Sequence, residues 1–396
     1  MTHENLPPRP WMTEDMILTQ QTARKFCDAE ITPHIERWNK QGRVDRDLWI
    51  KAGKLGLIGA AIPTELGGAG CAPAHDMVIL LEQARTGDLG WGLGIHNIVI
   101  TYLLDHGTPA QKERWLPKLA SGEMVAALAM TEPSAGSDLR NIRTTAIGEG
   151  DHYRLNGSKI FITNGQTADL ICVAAKTDRN AGSKAISLIL VEAAKAPGFR
   201  RGRNLDKIGM KSQDTSELFF DDVVVPTENL LGGEEGRGLY QLMDQLPWER
   251  LLIGVRALGL SEYAFDQTLR YVRERQAFGQ RIVDFQNTQF KLAEVKTKIE
   301  VMRGFLDSCI MQHMNGGIDV TTAAMIKWWS TETLVQIVDD CVQLHGGYGY
   351  MLEYPIARLY ADVRAQRIYG GTTEIMKMLI ARSFTGQQSG NTASKA

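Results

Sequence analysis

The sequence predicts an α+β multidomain fold: an N-terminal helical domain, a middle β-barrel or β-sheet domain, and a C-terminal helical bundle. Three observations carry this. A chain of 396 residues exceeds one compact core, so two or three packed units are expected. The hydrophobic pattern changes from helical spacing to short β-prone runs near Val125, and back to helical spacing from Leu239. Helices and strands are therefore segregated along the chain, which argues against alternating βαβ units. The domains expected are residues 1–124, 125–238 and 239–396.

In the first domain, residues 12–38 place Met16, Ile17, Ala23 and Phe26 at helical spacing, and Thr13 is positioned as a helix N-cap. Residues 77–83 and 98–104 continue in this style. Gly67, Gly68 and Gly70, then Gly87, Gly90, Gly92 and Gly94, mark turns between helices. In the second domain the β-prone runs are 125–130, 159–163, 170–175, 185–191 and 217–225. Asn156-Gly157 and Asn164-Gly165 sit in the loops that separate them, the spacing of an antiparallel sheet or small barrel. In the third, residues 263–276, 290–314 and 321–344 are periodic helices. The last ten residues, 387–396, are polar and expected to fray.

Composition excludes several function classes. A net charge of -2 provides no basic footprint for nucleic acid. No apolar run reaches the roughly 18 residues of a membrane span. Residues 1–11 lack both the apolar core of a signal peptide and the Arg/Ser-rich pattern of a transit peptide. A cytoplasmic protein is expected on this reading, or a mitochondrial matrix one if a transit peptide has been removed. The five cysteines form no C-x-x-C pair and the histidines show no ligand spacing, so neither disulfides nor a metal are expected.

No G-x-G-x-x-G follows a strand, so any nucleotide cofactor is held without a Rossmann fingerprint. Residues 129–138, Ala-Met-Thr-Glu-Pro-Ser-Ala-Gly-Ser-Asp, would present backbone N–H groups and hydroxyls suited to a pyrophosphate. A long surface turn is an equal reading of that segment alone. The balance changes because it resembles the signature of the acyl-CoA dehydrogenase family, and five other stretches resemble that family in the same order. They are residues 107–117, 156–164 (Asn-Gly-Ser-Lys-Ile-Phe-Ile-Thr-Asn), 275–279 (Arg-Gln-Ala-Phe-Gly), 343–347 (Gln-Leu-His-Gly-Gly) and 369–372 (Tyr-Gly-Gly-Thr). The resemblance covers roughly Thr13 to Phe384.

The resemblance implies the same helix–sheet–helix fold, a homotetramer, an acyl-CoA substrate, and FAD between the β-domain and the C-terminal bundle. It implies electron transfer to an electron-transferring flavoprotein. By position, Met130, Thr131, Gly136, Ser137, Phe161 and Thr163 would meet the flavin or its pyrophosphate. Phe161 stands where many members carry Trp. Arg275, Phe278, Gln286, Gln343, Gly346, Gly347, Thr372 and Glu374 would reach the adenosine diphosphate end. Ser137, Tyr240, Arg250 and Gly371 would contact substrate.

The reaction so implied needs a carboxylate beside the α carbon. Many members carry it just before the Gly-Thr of Tyr-x-Gly-Thr, where this chain has Gly370. Long-chain and isovaleryl-type members place it earlier, within Glu-Arg-Leu, and residues 246–252 here read Leu-Pro-Trp-Glu-Arg-Leu-Leu. Glu249 is the expected base. Pro247 reads as the first residue of a helix, which puts Glu249 in its first turn, where the dipole favours the anion. Gly370 would still donate its backbone N–H to the thioester oxygen. Trp248 departs from the Gln common among long-chain members. The basic residues Arg200, Arg201, Arg203, Lys207 and Lys211 read as a solvated loop. Two other classes compete: flavin oxidases or monooxygenases of the same fold, and a non-catalytic acyl-CoA-binding relative.

Overall fold

The computed structural model describes residues 9–178 and 180–386. The polar tail expected to fray, 387–396, lies outside the described residues, as do residues 1–8. Two compact units emerge: Met12–Gln245, and the described residues up to Trp11 together with those from Leu246 on.

The Met12–Gln245 unit begins with helices. α1 (Glu14–Glu30) starts where expected, with Thr13 Oγ1 accepting from Met16 N. The helix expected to reach Trp38 stops at Glu30, and Thr32-Pro33 forms a short 3-10 turn before α2 (Ile35–Gln41). Pro33 has no N–H to donate to the preceding turn and its ring clashes with it, which explains the break. α3 (Arg46–Lys54), α4 (Ala74–Ala84), α5 (Leu93–His106) and α6 (Pro109–Ala120) follow. α6 opens on a complete capping box between Thr108 and Gln111, with Pro109 at the first helical position.

Seven strands form one sheet: β1 (Ala126–Ala129), β2 (Thr145–Glu149), β3 (His152–Thr163), β4 (Leu170–Lys176), β5 (Ile186–Glu192), β6 (Phe199–Asn204) and β7 (Thr215–Pro226). The order is β1-β4-β2-β3-β7-β6, with β5 on β4. The expected all-antiparallel pairing is corrected: β1 and β2 both run parallel to β4. β4 and β5 are buried on both faces, which is why they read as unbroken apolar runs. The loop expected around Arg200, Arg201 and Arg203 is strand β6. Arg200 lies 3.9 Å over the Phe219 ring, and Arg201 donates to the carbonyls of Gly165 and Ala168.

α7 (Gly238–Glu274) crosses the unit boundary in sequence. In the second unit, a two-residue hairpin, β8 (Gln276–Ala277) and β9 (Gln280–Arg281), leads into α8 (Gln286–Met314). α9 (Val320–His345), α10 (Pro355–Val363) and α11 (Thr373–Thr385) complete it. α9 packs against α8, α10 and α11, with Ala323, Ile326, Leu334, Ile337 and Val338 wholly buried. Among the described residues, no helix is long and apolar enough to cross a membrane, and all five cysteines are free.

Candidate active site

In the Met12–Gln245 unit, the 131–138 segment leaves β1 and is tied to β3. Ile160 N donates to Thr131 O at 3.0 Å, and Lys159 Nζ donates to Met130 O at 3.0 Å. Lys159 and Glu132 form an ion pair at 2.8 Å with side chains 0% and 3% exposed. Glu132 also accepts from the backbone N–H groups of Arg143 and Thr144, so one carboxylate closes the loop at both ends. Burial alone would raise the Glu132 carboxyl; the Lys159 charge and these hydrogen bonds bring it below its ordinary value. Burial pulls the Lys159 ammonium down to about 8, with Glu132 opposing.

On that foundation the loop turns small groups outward. Gly136 and Ser137 are exposed, and nothing lies within 4 Å of a Cβ built on Gly136. The β3–β7 register shifts between Lys159 and Ile162, and Phe161 sits in that irregularity with φ +61° and its ring 64% exposed. A bulky residue in the left-handed region with an open aromatic face is costly unless something uses it. Met130 and Thr131 are thus tied to the stretch of β3 that carries Phe161 and Thr163, and Gly136 and Ser137 follow on the same loop. Tyr240, predicted to contact substrate, lies in this unit with its ring edge-on to His106 and 4.7 Å below the Arg237 guanidinium.

The other unit holds a cavity of about 550 Å³ whose lining includes Tyr271, Arg275, Gln343, Gly346, Gly347 and Tyr348. Gly346 ends α9 at φ +58°, its N–H turned back to Gln343 O. Tyr271 stacks on His345 and donates to its carbonyl, fixing one wall. Phe278 does not line this cavity; it stands at the tip of the β8–β9 hairpin at φ +52°, 97% exposed. Gln286, also predicted for this end, is exposed at the start of α8 and lines no part of it. Thr372 caps α11 through Ile375 N, and Glu374 is exposed in that helix's first turn.

Glu249 is buried, 6% exposed, as is its neighbour Arg250. Its expected place in a first turn is corrected: α7 begins at Gly238, and Pro247 is an interior proline. Pro247 therefore marks no helix start, and the dipole argument for the Glu249 anion falls with it. One turn after Glu249, Ile253 faces the 369–372 turn. A Cβ added to Gly370, at φ +66°, would lie 2.4 Å from Ile253 Cδ1. Arg250 Nε donates to Gly370 O at 3.4 Å, and Lys327 Nζ donates to Gly371 O at 2.6 Å. Trp248 stacks on His313, ring centroids 4.7 Å apart. Sequence reasoning missed Lys159, Glu132, Ile253 and Lys327. Lys327 had a signal, a single charge inside an otherwise apolar run.

In the Met12–Gln245 unit, an open glycine-and-hydroxyl loop suits a phosphate group; in the other unit, a glycine-edged cavity carrying arginine and glutamine suits a polar small molecule. Comparison with known proteins agrees. The family model "Acyl-CoA dehydrogenase, N-terminal domain" matches residues 13–123, the middle-domain model 127–223, and the C-terminal-domain model 236–385. The mitochondrial long-chain specific acyl-CoA dehydrogenase of Rattus norvegicus is 49% identical over 92% of this chain and 85% of its own. The mitochondrial isovaleryl-CoA dehydrogenase of Oryza sativa subsp. japonica is 39% identical over 92% and 90%. An acyl-CoA dehydrogenase crystal structure from Geobacillus kaustophilus superposes with a TM-score of 0.92 at 46% identity, covering 95% of this chain and 99% of that one. A glutaryl-CoA dehydrogenase from Mycobacterium smegmatis, solved in complex with FADH2, superposes at 0.88 with 27% identity over 95% and 96%.

Proposed function

The chain belongs to the acyl-CoA dehydrogenase family, and from that membership we propose that it desaturates a long-chain or branched acyl-CoA between the α and β carbons, with Glu249 as base. The observation that carries the assignment is the pairing of Glu249 with Gly370. The alternative position for a carboxylate has no side chain, and Ile253 fills the space where its Cβ would stand. Glu249 is the buried carboxylate on the same face of α7, one turn earlier.

Glu249 takes the α proton as the C–H bond breaks. The backbone N–H of Gly370 meets the thioester oxygen and stabilises the developing enolate. Arg250, Gly371, Ser137 and Tyr240 contact the CoA thioester. Met130, Thr131, Gly136, Ser137, Phe161 and Thr163 hold the flavin and pyrophosphate; Arg275, Gln343, Gly346 and Gly347 hold the adenosine diphosphate from the cavity they line, and Phe278, Gln286, Thr372 and Glu374 reach it from outside that cavity. FAD, the cofactor of this family, supplies the acceptor for the β hydride when bound. The electrons leave to an electron-transferring flavoprotein, and the working particle is a homotetramer. The compartment follows that acceptor: the matrix for mitochondrial relatives, the cytoplasm for a bacterial host.

The test is anaerobic mixing of the purified protein with straight and branched acyl-CoAs. The protein should carry about one FAD per chain, and long or branched thioesters should bleach it. FMN in place of FAD, or hydrogen peroxide from a substrate without CoA, would overturn the reading.

A further inference from the structure

Lys327 lies on α9 in the apolar run Ala323-Ala324-Met325-Ile326-Lys327-Trp328-Trp329 and is wholly buried. Among the described residues its ammonium forms no ion pair; its hydrogen bond goes to Gly371 O at 2.6 Å. A buried ammonium without a carboxylate is expensive, and methionine would pack the same space without that cost. The charge is therefore spent on one peptide plane. The plane before it is held from the opposite helix, where Arg250 Nε reaches Gly370 O.

This matters because the turn cannot hold itself. Gly370 at φ +66° and Gly371 at φ +95° have no side chains to pack and wide conformational freedom. A peptide is planar, so fixing a carbonyl fixes the direction of the N–H across the bond. Two buried cations, one from α7 and one from α9, set successive planes between Gly370 and Thr372. The N–H groups so fixed are those of Gly371 and Thr372; Gly370, whose own N–H lies in the preceding Tyr369–Gly370 plane, is anchored from its carbonyl side and faces the helix of Glu249 through Ile253.

We propose that Lys327 is a positioning residue for the dehydrogenation: its ammonium clamps the Gly370–Gly371 turn so that the Gly370 amide meets the substrate's thioester oxygen. This rests on the dehydrogenase reading. The charged groups around Lys327 are Arg250 from α7, Glu332 on its own helix, Glu374 from α11, and Arg367 from the 3-10 turn before it. Burial and then Arg250 push the ammonium down to about 8, against Glu332 and Glu374. A neutral amine holds the carbonyl more weakly, so the clamp loosens as pH rises through that value.

The test compares the flavin-loaded wild type with Lys327→Met and Lys327→Arg. It reads the limiting rate of flavin reduction, the acyl-CoA dissociation constant and the melting midpoint from pH 6 to 10. The wild-type limiting rate should fall as pH rises through about 8. Lys327→Met should melt no lower than wild type at pH 7, bind acyl-CoA within a few-fold, and lose about 10-fold or more in limiting rate at every pH. Lys327→Arg should keep most of the rate and remove the fall. A Lys327→Met protein with wild-type rate, or a wild-type rate flat from pH 7 to 10, would overturn the role. If the methionine variant does not fold, the wild-type and arginine profiles decide between the same outcomes. A wild type that no acyl-CoA bleaches instead refutes the dehydrogenase reading itself.

Discussion

Replacing Gly370 by alanine puts a methyl group into the space Ile253 occupies, and the structure permits the cost to be divided. At φ +66° an L-residue pays roughly 1–2 kcal/mol in backbone strain. Its Cβ would lie 2.4 Å from Ile253 Cδ1, and overpacking of a buried contact adds about 1–3 kcal/mol. Ile253→Val removes that one methyl, and the next nearest atom, Ile253 Cγ1, is 3.9 Å away. Alone, Ile253→Val should cost about 0.5–1.5 kcal/mol. In the double variant the strain remains and the overpacking disappears. The pair should therefore be less destabilised than the two single changes together by about 1–3 kcal/mol, or roughly 2–12 °C in melting midpoint. The assay is a double-mutant cycle of thermal melts on the flavin-loaded protein. Additivity within about 0.5 kcal/mol would show that Ile253 does not occupy the position-370 space. The same geometry implies that a carboxylate introduced at 370 needs Ile253→Val beside it.

Lys159→Met should destabilise the protein by about 3–5 kcal/mol, because it leaves the buried Glu132 charge uncompensated. Flavin retention should weaken with it, and Glu132→Leu in the same chain should restore much of the stability, read by melting and by flavin released on dilution. Asp76 accepts from Ala60 N and Asn97 Nδ2 in the helical region, and burial raises its carboxyl to about 6. Its folded pKa lies above the ordinary 3.8, so its favourable contribution is present below that value and lost as pH rises through about 6. Relative to Asp76→Asn, the wild type should lose about 2 kcal/mol between pH 4 and 7; parallel melting curves for the two proteins would contradict this.

Patterns that depend on one element were legible in the sequence. β4 and β5 are apolar throughout because both faces are covered, and Thr13 signals its helix start through a bond made within a turn. Pro247 misled because proline is ambiguous: it opens helices and also interrupts long ones, and only the packing of α7 decides. The arginines of β6 read as solvated because the Phe219 ring and the carbonyls that receive them lie 19 to 36 residues away in sequence. Glu249 and Gly370 were expected as a pair from the family resemblance. Ile253 was not, since its meaning comes from a contact across 117 positions. Lys159 and Lys327 were missed because their partners, Glu132 and the Gly371 carbonyl, are set by tertiary structure; Lys327 alone stands as a lone charge in an apolar run.

The identity of the base is tested most directly by anaerobic stopped-flow reduction of the flavin in Glu249→Gln. Glutamine keeps the size and most of the hydrogen bonding of glutamate but cannot accept the α proton. Flavin reduction by an acyl-CoA that bleaches the wild type should slow by about 10²-fold or more, while acyl-CoA still binds, because the lost interaction belongs to the transition state. Reduction at a near-wild-type rate would contradict Glu249 as the base and move the search to another carboxylate.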